Sequence, residues 1–294
     1  MRPELRSGRL LLLLPLSGSP APALEALVLC YHAVSDDWPS PLAVTQTQLA
    51  RHLRLLQRRG YKFVTFSKLV NCVSCGAHEG KARIAAVTFD DGYRSNLTRA
   101  LPVLRGVGAP ATVFVVTSFA GDGSPLRWEG ISQWLGTTYE RELEPLSPGD
   151  LRELVAAGWE VGSHTATHPR LSRLDDAAVR EELCASKQWL EEILGVACRS
   201  LAYPYGDWNE QVAAIAGQAG YEAAALLSAH FSAPQPLAWP RIGIYRADSG
   251  WRFALKANPA VVRLRSTDVW RYLRAARATS PAATPPSDSE VRRR

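Results

Sequence analysis

The spacing of hydrophobic positions changes repeatedly along this chain, and each change marks a predicted element. Ala26–Tyr31 is a short apolar run of the kind a buried strand uses. Thr45–Arg59 has helical spacing through Leu49, Leu53 and Leu56 and is stopped by Gly60. Tyr61–Phe66 returns to β-rich residues, Ile84–Phe89 reads as a further apolar strand, and a helix is expected around Asn96–Leu104. Ala111–Val116 is again a strand. Phe119 to Pro145 has little periodicity and reads as an insertion over one end of the fold.

Ser147 with Pro148 behind it forms a helix start, and Gly158 a helix stop. Strand Trp159–Gly162, helix Asp175–Leu194, strand Ser200–Tyr203, helix Asn209–Ala219 and strand Tyr221–Leu227 continue the alternation. Repeated β-α units with short turns imply an α/β fold on a parallel sheet, either open or closed into a barrel.

Composition narrows the class further. Of 294 residues, 46% are hydrophobic and 21% charged, which excludes a disordered polyelectrolyte. No apolar run reaches the roughly 18–20 residues that a membrane-spanning helix needs. The net charge of +6 is unevenly placed: residues 251–294 carry ten Lys/Arg and three Asp/Glu, +7, leaving −1 for the first 250. A near-neutral body does not suit nucleic-acid binding. Arg263, Arg265, Arg271, Arg274 and Arg277 interleave with Leu264, Val269, Trp270 and Leu273, a pattern for peripheral membrane contact or for ordinary packing.

Five cysteines do not make a disulfide scaffold; Cys72-x-x-Cys75 before His78 reads as a surface loop rather than half a zinc site. Residues 1–25 form a leader with arginines, a short leucine run and Ala21-Pro22-Ala23, either a signal segment or an unstructured start. Residues 26–278 are then the folded domain, and 279–294 a disordered basic tail.

Three predicted strands end in unusual residues. Ile84–Phe89 runs into Asp90-Asp91-Gly92-Tyr93, Trp159–Gly162 into Ser163-His164-Thr165-Ala166-Thr167-His168, and Ser200–Tyr203 into Pro204-Tyr205-Gly206. Parallel α/β folds gather their chemistry at that strand end. Adjacent carboxylates can point in different directions, so that one binds a metal while its neighbour faces a substrate. Two histidines four residues apart with one carboxylate make a three-ligand set with open positions, the layout of a catalytic metal.

Thr88-Phe89-Asp90-Asp91-Gly92-Tyr93, His164-Thr165-Ala166-Thr167-His168 and Ala202-Tyr203-Pro204-Tyr205-Gly206 resemble the first three motifs of the polysaccharide deacetylases (NodB-type, carbohydrate esterase family four). The resemblance runs from about Leu27 to about Arg246. It implies a distorted (β/α) barrel holding one divalent metal, usually zinc, that removes acetyl groups from sugars. By the same resemblance Asp91, His164 and His168 are the metal ligands, Asp90 is the catalytic base, and the Tyr205 amide helps form the oxyanion hole.

The chain departs from the common pattern twice. Ala202 stands where the third motif often carries an arginine that steadies the base, and Arg241 is the candidate replacement. The late motif with a general-acid histidine is missing, His230 being the only later histidine. Leu29-Cys30-Tyr31-His32-Ala33-Val34 is similar to the exopolysaccharide poly-N-acetylglucosamine deacetylases, which place that acid on the first strand, and this makes His32 the candidate acid. Trp128, Trp134 and Trp208 suit a sugar-stacking groove or the core equally, and Trp208 is assigned with Tyr205 and Arg241 to the substrate side.

The expected function is metal-dependent N-deacetylation of N-acetylglucosamine-containing glycans. The alternatives are a non-catalytic glycan binder of the same fold and an amide hydrolase for a small non-sugar substrate. The expected protein is monomeric, and an envelope or secreted location is favoured over a cytoplasmic one.

Overall fold

The computed structural model describes residues 24–76, 82–227 and 234–265, with the side chains of 263–265 left aside. The leader apart from its last two residues, His78, His230, the basic stretch beyond Val262 as side chains, and the tail 279–294 lie outside the described residues.

The strands are β1 (Glu25–Tyr31), β2 (Ala33–Val34), β3 (Ala43–Val44), β4 (Lys62–Val64), β5 (Arg83–Phe89), β6 (Thr112–Val115), β7 (Glu160–Ser163), β8 (Ser200–Ala202), β9 (Ala223–Leu226), β10 (Trp239–Pro240) and β11 (Ile242–Gly243). Nine of them form one parallel sheet in the order β10-β9-β8-β7-β6-β5-β1-β11, with β4 also on β5. The short β2 and β3 pair separately.

Only Arg241 separates β10, which pairs with β9, from β11, which pairs with β1. One continuous stretch, Trp239–Gly243, therefore crosses from one edge of the sheet to the other. The sheet is nearly closed there into a barrel.

Side-chain alternation along the strands decides what the barrel contains. Leu27, Leu29, Tyr31, Val87, Phe89, Val113 and Val161 belong to the large core shared with the surrounding helices. The intervening positions Val28, Ala86, Phe114, Ala202, Ala223 and Ala225 form a second cluster inside the barrel. Continuing that inner register towards the C-terminal strand ends reaches Cys30 and His32 on one side and Thr88 and Asp90 on the other. The site is the upper end of the inner column.

The lower end is plugged by a helix, Phe66–Ser74, whose Phe66, Leu69 and Val70 join the inner cluster. Its first N–H groups donate to Thr112 Oγ1 (2.9 Å) and to the Glu160 carboxylate (3.0 Å), which suits the positive end of a helix. This corrects two expectations. Strand β4 ends at Val64, and Phe66 starts this helix; Cys72 lies within it and Cys75 caps its end, so the thiol pair is not in a loop. The i, i+3, i+4 spacing of Phe66, Leu69 and Val70 buries one helical face, and that burial outweighs the β-rich residues before it.

The remaining helices start as their caps require. Thr45 and Ser147 each form a capping box, and Asp175 and Asn209 accept from the N3 amide. After the Asp90-Asp91 turn the chain makes a π-turn over Asn96–Ala100 before the helix Leu101–Arg105. The buried Asn96 there donates to the His32 carbonyl at 2.8 Å and ties this turn to the end of β1.

Candidate active site

The strand ends carry unusual backbone. Among the described residues, the non-glycine residues with positive φ are Asp91 (72°), Thr165 (69°), His168 (68°) and Tyr205 (59°). All four sit in the three motifs. Such conformations cost energy and persist where the surrounding structure enforces them, commonly at functional sites.

Glu182, from the helix Asp176–Leu194, does much of that enforcing for the histidine turn. Its carboxylate accepts from the amides of Ala166 and Thr167, both at 2.9 Å, and from the Thr167 hydroxyl at 2.6 Å. Within the turn, His168 N–H donates to Thr165 Oγ1 at 3.0 Å. Next to Tyr205, Gly206 has φ +67°, and a Cβ there would lie 2.6 Å from the Leu227 carbonyl oxygen. Only glycine fits that approach.

This backbone brings Asp91, His164 and His168 together. Asp91 Oδ1 is 3.4 Å from His164 Nε2 and 3.5 Å from His168 Nε2, and all three residues are buried. For ligand bonds of about 2.0–2.2 Å, the edge of a tetrahedron is about 3.3–3.6 Å. His164 Nδ1 lies 2.8 Å from the Ala202 carbonyl, which only accepts, so Nδ1 donates and Nε2 faces Asp91, where the neutral tautomer offers its lone pair to an ion. A cation, either a proton on Nε2 or a metal ion, belongs between that nitrogen and the buried carboxylate. The donor set fits a divalent metal.

Burial opposes ionisation of Asp91, but the two imidazoles beside it hold its carboxyl far below the ordinary range. Burial pulls His164 down, yet Asp91 and Asp90 outweigh it and raise the ring above its usual value; for His168 burial prevails and the ring is lowered.

Asp90 points elsewhere. Its Oδ1 accepts from Arg241 Nη1 at 2.6 Å, and its Oδ2 accepts from Arg241 Nη2 at 2.7 Å and from the Cys30 thiol at 3.3 Å. Arg241 also donates to Thr88 Oγ1 (2.9 Å) and the Leu226 carbonyl (3.2 Å), and is fully buried. Burial pushes Asp90 up, but the Arg241 charge, helped by His164 and His32, brings it down to about 2. The barrel seam supplies this arginine: the residue between β10 and β11 points inward at the level of Asp90. Ala202, where the common pattern has its arginine, is a small buried residue on β8.

A cavity of about 460 Å³ opens over both groups, within the usual range for ligand sites. Its walls include His32, Asp90, Asp91, Trp128, Arg170, Tyr205 and Tyr245. His32 is buried with its ring near Tyr245, centroids 6.4 Å apart, and its Nδ1 makes no hydrogen bond among the described residues. Arg170 covers the Tyr205 ring at 4.1 Å and meets Glu129 at 3.4 Å.

Trp208 does not line the cavity. It stacks on Tyr203 (6.2 Å, 20°) against the large core, because the left-handed turn at Tyr205 directs the following chain away from the opening. Trp134 packs edge-on against Trp38 and Tyr139. Trp128 is the tryptophan that reaches the site. Sequence reasoning missed Cys30, Glu182 and Tyr245, none of which stands out from ordinary core or helix residues in one dimension.

Comparison with known proteins agrees with this architecture. The Streptococcus pyogenes deacetylase PplD has the same fold, with a TM-score of 0.66 at 22% identity over 83% of this chain and 98% of that one. IcaB from Ammonifex degensii gives 0.61 at 24% identity over 83% and 99%. In sequence, the chitooligosaccharide deacetylase of Bradyrhizobium sp. (strain ANU 289) is 30% identical over 182 residues, 61% of this chain and 69% of that protein. The poly-beta-1,6-N-acetyl-D-glucosamine N-deacetylase of Staphylococcus aureus (strain MSSA476) is 23% identical over 187 residues, 60% and 59%. The chain spans about three fifths of the length of several curated relatives it matches.

The family model for polysaccharide deacetylases matches residues 77–224. That segment holds Asp90, Asp91, His164, His168 and Tyr205, whereas His32 and Arg241 lie outside it. With the family model matching half of the chain and the fold in common, this chain belongs to the polysaccharide deacetylase family.

Proposed function

We propose that this protein is a metal-dependent hydrolase that removes N-acetyl groups from N-acetylglucosamine-containing glycans, with zinc as its metal. The observation that carries the reading is the buried trio of Asp91, His164 and His168, with donor atoms at 3.4 and 3.5 Å, beside a separate carboxylate, Asp90. Asp91 Oδ1 and the two Nε2 atoms would hold the ion. When bound there, a divalent ion lowers the pKa of coordinated water from about 15.7 towards about 7 and polarises a carbonyl.

The chain's own groups supply the rest. Asp90 acts as the base. A carboxylate has about four acceptor positions, and Arg241 and Cys30 take three of them, which leaves one on Oδ1 for the proton of the attacking water. Arg241 holds that carboxylate in place and keeps it ionised.

The Tyr205 amide donates to the oxygen on which charge develops. His32 protonates the departing amine. Trp128, Arg170 and Tyr245 form walls against which the sugar is placed. No covalent intermediate is required.

The enzyme works as a monomer on carbohydrate and not on nucleic acid, at the cell envelope. Its basic C-terminal stretch is the candidate for contact with anionic membrane, where each nearby Lys or Arg contributes about 1 kcal/mol. Among the described residues no helix is long and apolar enough to cross a membrane.

The test is acetate release from N-acetylglucosamine oligomers and polymer by the zinc-loaded full chain, with a panel of small N-acetylated amides alongside. Release from the glycans that stops on chelation and returns with zinc supports the reading. Glycan binding without acetate release, or release from small amides alone, contradicts it.

A further inference from the structure

The two imidazoles that face Asp91 are held in different ways. His164 donates from Nδ1 to the Ala202 carbonyl at 2.8 Å, the usual means of fixing a metal-binding histidine. The Nδ1 of His168 is also buried but makes no hydrogen bond among the described residues. The indole of Trp128 lies over this ring instead, with centroids 4.1 Å apart and planes within 22°. Tyr205 meets the same ring at 4.6 Å and 64°.

Trp128 belongs to none of the three motifs. It comes from the insertion after β6, where its ring packs edge-on against Phe119 at 5.6 Å. Its carbonyl accepts from the amides of Ile131 and Ser132 and from the Ser132 hydroxyl, so the backbone beneath the indole is itself braced. His168 stands in a left-handed backbone conformation, at φ 68°, and needs outside support to keep its side chain aimed.

We propose that Trp128 is the positioning residue for His168. Its face fixes the imidazole plane so that Nε2 stays directed at Asp91, and Tyr205 limits rotation within that plane. Stacking does for His168 what the Ala202 carbonyl does for His164. This rests on the reading of Asp91, His164 and His168 as the metal-binding set. It makes the insertion part of the metal centre, so that one wall of the substrate cavity also supports a ligand.

The experiment measures zinc affinity of the full-length protein by competition with a chromophoric chelator, for wild type, Trp128→Phe and Trp128→Leu. Both variants keep an apolar side chain at the position, and thermal unfolding checks that they fold. Removal of such support typically costs 10–100-fold in metal affinity. Trp128→Leu should weaken zinc binding in that range, while Trp128→Phe, which keeps a flat ring, should stay within a few-fold of wild type. The cobalt(II) absorption spectrum should change in the leucine variant and be restored in the phenylalanine one.

Unchanged zinc affinity and cobalt spectrum in a folded Trp128→Leu, with only KM for the oligomer raised, would make Trp128 a sugar platform and overturn the inference. A wild type that binds no zinc would remove the metal reading itself, and the inference with it.

Discussion

Asp90 and Asp91 are neighbours in the chain but belong to two differently built halves of the site. Asp91 belongs with His164, His168 and Tyr205, which sit at strand ends where the backbone turns left-handed and carboxylates such as Glu182 hold the turns. Asp90 belongs with Cys30 on β1, His32 just past its end and Arg241 between β10 and β11, where backbone without left-handed turns points alternate residues inward. On the proposed reading, the first half gathers metal-binding atoms through strained turns. On the same reading, the second gathers proton-handling atoms through extended backbone and register. A site assembled from two kinds of backbone should fail in two distinguishable ways.

The largest effect should come from the proton-handling half. Asp90→Asn and His32→Ala should each lower kcat by on the order of 10²–10⁴, with KM little changed. Steady-state acetate release checks this. A His32→Ala variant with wild-type kcat would remove the histidine from that half.

Arg241→Leu should damage the same half through stability. It leaves Asp90 buried and unpaired, and breaking such a pair costs about 3–5 kcal/mol. Denaturant unfolding should show that loss, and Asp90→Asn combined with Arg241→Leu should recover part of it, since no uncompensated charge then remains. A double variant no more stable than Arg241→Leu alone would mean the arginine matters for closing the barrel and not for Asp90.

A control lies behind β1, away from both halves. His52 is buried, its ring stacked on Phe253 at 3.8 Å and sharing a hydrogen bond with the Tyr31 hydroxyl at 3.1 Å. Burial pushes its pKa down to about 4. Between pH 6.5 and about 4 the unfolded chain binds the proton and the native one does not, so stability is full above that window and falls as pH drops through it. The loss is on the order of 3 kcal/mol. His52→Gln should flatten this part of the stability profile measured by urea unfolding, whereas a profile identical to wild type would assign the acid sensitivity to the site.

Glu182→Ala tests the strained half and should have the smallest effect on stability. Three donors lose their acceptor on a partly exposed turn, for about 1–3 kcal/mol. Zinc affinity should fall with it, because His164 and His168 flank the loosened turn. Zinc titration would contradict this account if affinity held while stability dropped.

The difference between the halves also explains what could be read in one dimension. The alternating strands and helices were legible because strands such as Arg83–Phe89 carry an apolar run, Ile84–Val87, and run abruptly into polar residues. The Asp-Asp and His-x-x-x-His pairs were legible for the same reason, since turn geometry keeps their spacing local. Of the closing strand only Arg241 was legible, as the candidate partner of Asp90, because β10 and β11 are two residues each and their pairing depends on β9 and β1, separated from them in sequence. The helix Phe66–Ser74 was hidden by β-rich residues ahead of it. Trp128 and Trp208 could not be sorted without knowing which way the insertion and the Tyr205 turn run.

The zinc content of Asp90→Asn and Asp91→Asn, measured in parallel on purified full-length proteins after dialysis against zinc, tests the division between the two carboxylates most directly. Asp90→Asn should hold one zinc per chain and Asp91→Asn essentially none. Equal zinc in the two variants, whether both loaded or both empty, would contradict the separation of a metal-holding half from a proton-handling half.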